Sequence, residues 1–134
     1  MAFIYTQYNV AKKQITITNK NGKKVVVTVE MADDMLKKSR GLMFRDALGE
    51  NDGMLFTFDK PARHGFWMVN TTLALDAIYF DENKTAVDVL QMEPCKILNC
   101  PVYWPKADAL YVLEVNKGFA MKNNITVGSK FEYS

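Results

Sequence analysis

At 134 residues the chain has the length of one ordinary domain and can bury a core without covalent staples. Hydrophobic residues make up 49% and charged residues 24%, which excludes a disordered polymer. The formal charge of +2 is small but uneven: Lys12, Lys13, Lys20, Lys23 and Lys24 precede Met31 against the single acid Glu30.

These lysines flank turns and chain ends without interleaved arginines or stacking aromatics, so a solvated hairpin edge is expected and nucleic acid is not an expected partner. No run approaches the roughly 18 apolar residues of a membrane-spanning helix. The sequence therefore reads as soluble. The compartment stays open, and is extracytoplasmic if a natural signal or anchor preceded the chain.

Residues 1–11 carry Phe3, Tyr5 and Tyr8 without a clean period and read as a weakly ordered arm or an edge strand. Residues 12–134 read as a single domain. Its first element alternates through Ile15 and Ile17, turns at Asn19-Lys20-Asn21-Gly22, and resumes as Val25 to Val29, a β-hairpin. Asp33 or Asp34 is placed to cap a short helix that ends in Lys37, Lys38 and Arg40, with Gly41 just past its end. Leu48 to Gly53 reads as a loop, and Met54 to Phe58 as a buried strand that Pro61 stops.

From Gly65 to Asp81 two strand candidates flank the polar Asn70-Thr71-Thr72, which puts Asn70 and Asp76 at the inner ends of β elements. Thr85 to Leu90 is the expected partner of Leu75 to Phe80. Pro94, Pro101 and Pro105 prevent a regular helix or a central strand up to Asp108. Ala109 to Val115 is a further strand, Lys117 to Asn124 a helical turn opened by Gly118, and Ile125 to Tyr133 a closing strand interrupted by Gly128. The expected fold is mainly β and mostly antiparallel, a jelly-roll-like sandwich or partly open barrel with one or two short helices.

Several ordered motifs carry a resemblance. Arg40-Gly41-Leu42-Met43-Phe44-Arg45, Gly53-Met54-Leu55-Phe56 with Phe58, Phe66-Trp67-Met68 with Asn70-Thr71, Leu75-Asp76, and Tyr111-Val112-Leu113-Glu114-Val115 with Gly118 resemble the DUF192 family of small prokaryotic domains. That resemblance runs from about Val25 to Lys130. It implies a compact jelly-roll-like β fold, a family often found behind signal or lipoprotein segments, and no established reaction. Val69 stands where the family has a basic residue, and Ala74 where it has a proline. Pro94, Cys95, Cys100 and Tyr103 look like a family variant with a cysteine-containing loop before the Tyr-Val-Leu-Glu-Val strand.

Asp76 interrupts an apolar strand, so it needs a partner, and Arg40 or Arg45 is the expected one. In a period-two strand Glu114 shares a face with Leu110 and Val112. Paired with Asp76 it would make the two-carboxylate arrangement of a hydrolase. His64, the only histidine, is a weak general-base candidate. Cys95 and Cys100 are close enough in sequence for a disulfide or a pair of free thiols, and with one distant histidine they do not make the four ligands of a structural metal.

Trp67, with Phe66, Tyr79, Tyr103, Trp104 and Tyr111, offers an apolar platform, while Met43, Met54 and Met68 are expected to fill the core. No nucleophile elbow, phosphate loop or dinucleotide fingerprint is present, so no cofactor is expected. Three functions compete. The first is a binding or accessory domain with a pocket of Arg40, Arg45, Trp67, Asn70, Asp76 and Glu114, taking a small molecule or glycan. The second is a cofactor-independent hydrolase using Asp76 with Glu114 or His64. The third is a structural interaction module.

Overall fold

The computed structural model describes residues 11–134; the arm or edge strand expected over residues 1–11 lies, apart from Ala11, outside the described residues. The elements in chain order are β1 (Lys12–Thr18), β2 (Lys24–Ala32), α1 (Met35–Arg40), β3 (Asp52–Ala62), β4 (Phe66–Trp67), β5 (Leu75–Phe80), β6 (Ala86–Met92), β7 (Val102–Tyr103), β8 (Ala109–Asn116), α2 (Phe119–Lys122) and β9 (Lys130–Tyr133). Seven of the strands form an open sheet in the order β6-β5-β8-β3-β2-β1-β9, and β4 pairs with β7 in a small second sheet. The fold is mainly β and mostly antiparallel.

The β1–β2 hairpin pairs Ile17 with Val25. Its turn is fixed by Asn19, whose Oδ1 accepts from the amides of Asn21 (2.9 Å) and Lys23 (3.0 Å), and by Gly22, whose φ of 84° suits a residue without a Cβ. β5 and β6 pair antiparallel from Leu75–Met92 to Phe80–Ala86. The exception to antiparallel order is β2 beside β3, which run parallel from Thr28–Asp52 to Ala32–Phe56. A parallel pair needs a crossover, and the segment containing α1 provides it. Asp34 caps α1 by accepting from the Lys37 amide at 2.8 Å.

Strand bounds differ from expectation at one proline and one glycine. β3 continues through Pro61 to Ala62, because its pairing with β8 breaks register between Thr57 and Ala62, so Pro61 sits where no regular ladder bond is lost. The closing strand begins only at Lys130. Ahead of it Gly128 has a φ of 100°, and the Thr126 amide donates to Ser129 Oγ at 3.1 Å, making a turn in place of strand.

Apolar residues fill both faces of the sheet. On one face Ile15, Ile17, Val27, Val29, Leu55, Ile78, Phe80, Leu113, Val115 and Phe131 form a core closed by Phe119, Ala120 and Ile125. The sheet curls around it until Thr85 bridges Lys130 and the Phe80 and Phe131 rings meet edge to face at 4.7 Å. On the opposite face Ala32, Met54, Phe56, Ala77, Tyr79 and Val112 lie beneath Leu42, Met68 and the β4–β7 layer. Covered on both faces, β5 is buried along its whole length.

Candidate functional site

Strand parity decides which polar residues meet. On β8, Glu114 stands opposite Ala77 of β5 and Met54 of β3, whereas Asp76 stands opposite Val115. Directly opposed residues share a face, so Glu114 points to the β4–β7 side of the sheet and Asp76 to the curled side. The two carboxyls are separated by the sheet. They do not form the acid–base pair expected of a hydrolase.

Asp76 also does not pair with Arg40 or Arg45. Its Oδ2 accepts from the backbone amides of Gly118 (3.1 Å) and Ala120 (3.0 Å), fixing the start of α2 against β5. Gly118, with a φ of 95°, lets the chain turn back over the carboxylate. Burial nevertheless outweighs these two bonds and pushes the Asp76 carboxyl above its usual range. Backbone amides reach Asp76 first because α2 follows β8 directly, a proximity that composition does not reveal.

Arg45 instead grips Glu30 at the end of β2 through two parallel bonds, Nη1 to Oε2 at 2.6 Å and Nη2 to Oε1 at 2.8 Å. That bond holds the Glu30 carboxyl below its ordinary range against the opposing effect of burial. Asn70 occupies the left-handed region at a φ of 56°; its amide donates to Lys96 O (2.6 Å) and its carbonyl accepts from the Phe44 amide (2.9 Å). It thereby joins two loops. Arg45 and Asn70 both stand outside the cleft described next.

On the Glu114 side a cleft of about 480 Å³ opens between the end of α1, β3, β4 and the segment from Val102 to Trp104. Arg40, Trp67 and Glu114 line it, as does His64. Phe56 and Phe58 line it as well, outside the expected site residues, although Met54, Phe56 and Phe58 alternate at the period of two that puts them on one face. Lys38 and Gly41 were also missed. Their places follow from the crossover that lays α1 over β3.

The walls are aromatic. The Phe66 ring meets Phe56 edge to face at 4.9 Å, and the His64 imidazole stacks on Phe58 at 3.6 Å. The Lys38 ammonium lies 4.6 Å from the Phe58 centroid, within cation–π range. The His64 Nε2 lies 3.1 Å from the Lys60 carbonyl, which assigns its proton to that nitrogen. Trp67 and Trp104 remain 56% and 59% exposed, so the mouth presents two open indole faces. Gly65 makes room for one of them: a Cβ there would stand 2.6 Å from the Trp104 ring.

At the floor, Glu114 is 4% exposed, with its Oε1 about 4.0 Å from where a Cβ at Gly41 would lie. Burial alone pushes its pKa up to about 8, with no ion pair or hydrogen bond among the described residues offsetting it. The group is thus a neutral carboxylic acid at pH 7, a donor as well as an acceptor. On the same face the Tyr79 hydroxyl is buried without a hydrogen-bond partner among the described residues, and burial together with the Glu114 carboxyl raises its pKa.

Of the other platform aromatics, Tyr103 pairs with Phe66 across β4–β7 and its hydroxyl accepts from the Glu93 amide at 3.2 Å. Tyr111 packs on Phe131 across the other face. Met54 and Met68 are core, while Met43 lines the cleft. Cys95 and Cys100 form a disulfide. It closes the loop whose Cys95 bridges Thr71 and which leads into Val102 and Trp104, so it braces one wall.

Among the described residues no helix is long and apolar enough to cross a membrane. The chain resembles a candidate transcription regulator from Sinorhizobium meliloti 1021, whose crystal structure superposes with a TM-score of 0.87 at 26% identity over 95% of this chain and 97% of that one. A protein of unknown function from Novosphingobium aromaticivorans DSM 12444 gives 0.84 at 28% identity, covering 94% and 88%. The UPF0127 protein of Pyrococcus abyssi is 34% identical over 112 residues, 78% of this chain and 85% of that protein. The family described as DUF192, Uncharacterized ACR, matches residues 16–133, and the chain belongs to it.

Proposed function

We propose that residues 12–134 act as one small-molecule-binding domain whose ligand enters the cleft between Trp67 and Trp104 and makes its decisive polar contact with Glu114. The single observation that carries this reading is the Glu114 carboxyl, buried without a compensating partner among the described residues at the base of an aromatic cleft. An isolated buried acid costs stability, and a fold that needed only packing would do better with a methionine or leucine there. A volume of about 480 Å³ suits a small organic molecule, since such sites occupy roughly 300–1,000 Å³ with apolar walls and few polar groups. A docking surface for another protein would use the same exposed indoles, but would leave the acid beneath them without a role.

A thermal-shift screen of metabolites and glycans tests the reading. A ligand at about 100 times its Kd stabilises by about 2.7 kcal/mol through linkage alone. Genuine hits should lose that stabilisation in Trp104→Ala and in Glu114→Leu. Hits unaffected by both substitutions would place binding elsewhere and overturn it.

A further inference from the structure

The charge distribution around the cleft narrows the ligand class, given the binding reading above. Two cationic side chains, Lys38 and Arg40, line its α1 side, and Glu114 is the one acid among the described lining residues. Met54 of β3 and Ala77 of β5, which flank Glu114 across the sheet, carry no charge, and the titratable group of β5 that shares the Glu114 face is Tyr79. His64 faces the cleft from the β3–β4 connection. An ammonium entering here would meet Lys38 and Arg40 first, and would compete with the Lys38 ammonium for the Phe58 face. An anion is drawn by the same field.

We propose that the cleft takes an apolar monocarboxylate, with its carboxylate against the Glu114 carboxyl group and its aromatic or branched body between Trp67 and Trp104. The protonated acid supplies the O–H and the ligand the anionic acceptor, a charge-assisted bond roughly twice as strong as a neutral one. No covalent step is involved, and one proton is shared between two carboxyl groups, as in paired acids that cannot both ionise. The rings supply the apolar contact area, and Lys38 contributes a favourable field at the mouth.

The test uses three probes with one body: 4-phenylbutanoate, 4-phenylbutanol and 4-phenylbutyltrimethylammonium, titrated against the whole chain by Trp67 and Trp104 fluorescence. With the Glu114 pKa at about 8, ionisation should weaken 4-phenylbutanoate binding about tenfold between about pH 7 and about pH 9. Glu114→Gln, which keeps a donor but cannot ionise, should bind the carboxylate with little change across that range. The wild-type pH series stands by itself should the variant fold poorly. Preference for the trimethylammonium, or equal binding of the alcohol, would overturn the carboxylate assignment and leave a binding cleft in place. No response to any probe at either pH would overturn both.

Discussion

The buried acid makes a prediction about folding that needs no ligand. In the unfolded chain Glu114 titrates near 4.5, and in the folded protein burial moves it to about 8. Between these values the folded state holds one proton more than the unfolded state, so each pH unit removes about 1.4 kcal/mol of stability. The contribution of this group is therefore fully favourable below about pH 4.5 and is lost as pH rises towards 8. Over the interval the loss sums to about 5 kcal/mol, a large share of the roughly 5–15 kcal/mol that holds a domain folded. Glu114→Gln keeps the shape and removes the titration. Urea melts of both proteins from about pH 5 to about pH 9 isolate the effect, because every other titrating group cancels in the difference. The variant should match wild type within about 1 kcal/mol at the acid end and exceed it by about 3–5 kcal/mol at the alkaline end. Parallel stability profiles would show that Glu114 finds a counter-charge in the fold, and the argument from an isolated acid would fail with them.

Asp76 should behave differently, since its role is to accept two backbone amides. Asp76→Asn, which retains an acceptor, is expected within about 1 kcal/mol of wild type, and Asp76→Ala, which strands both amides, is expected to cost about 2–4 kcal/mol in denaturant melts; equal losses would refute the capping role. Gly65→Ala drives a Cβ into the Trp104 ring, and because that indole is exposed it should swing outward, with a fluorescence change but a stability cost of about 1 kcal/mol or less. An unchanged emission spectrum would contradict that packing. Reducing the Cys95–Cys100 disulfide, which spans a sequence separation of 5, should cost about 2 kcal/mol by loop entropy and loosen the Val102–Trp104 wall, read as lowered Tm together with weaker binding of any cleft ligand. An unshifted Tm on reduction would mean that the loop is held by its other contacts alone.

Much of the molecule is written locally. Alternation and an Asx turn specify the β1–β2 hairpin, a capping aspartate and a following glycine bound α1, and the paired runs on either side of Asp81-Glu82-Asn83-Lys84 specify β5 and β6. These signals work because each depends on neighbours a few residues apart. The family motifs were equally legible, and they cover the strands that build the cleft floor.

What lay beyond the sequence was relative placement. Period two fixes which residues of one strand share a face, and so put Glu114 with Val112, but it leaves the phase between strands undetermined. Only the β5–β8 register, with Ala77 opposite Glu114, sends Asp76 to the other side of the sheet and dissolves the carboxylate pair. The parallel β2–β3 pairing was invisible for the same reason: its crossover segment contains a helix of six residues, too short to announce a βαβ unit by periodicity. That crossover lays Lys38, Arg40 and Gly41 over Phe56 and Phe58, while the disulfide loop brings in Trp104 from far along the chain. The sequence thus determined the strands, their turns and the presence of an expensive acid in one of them. The tertiary structure decided what that acid faces, because burial and charge are properties of assembled surfaces and not of residue spacing.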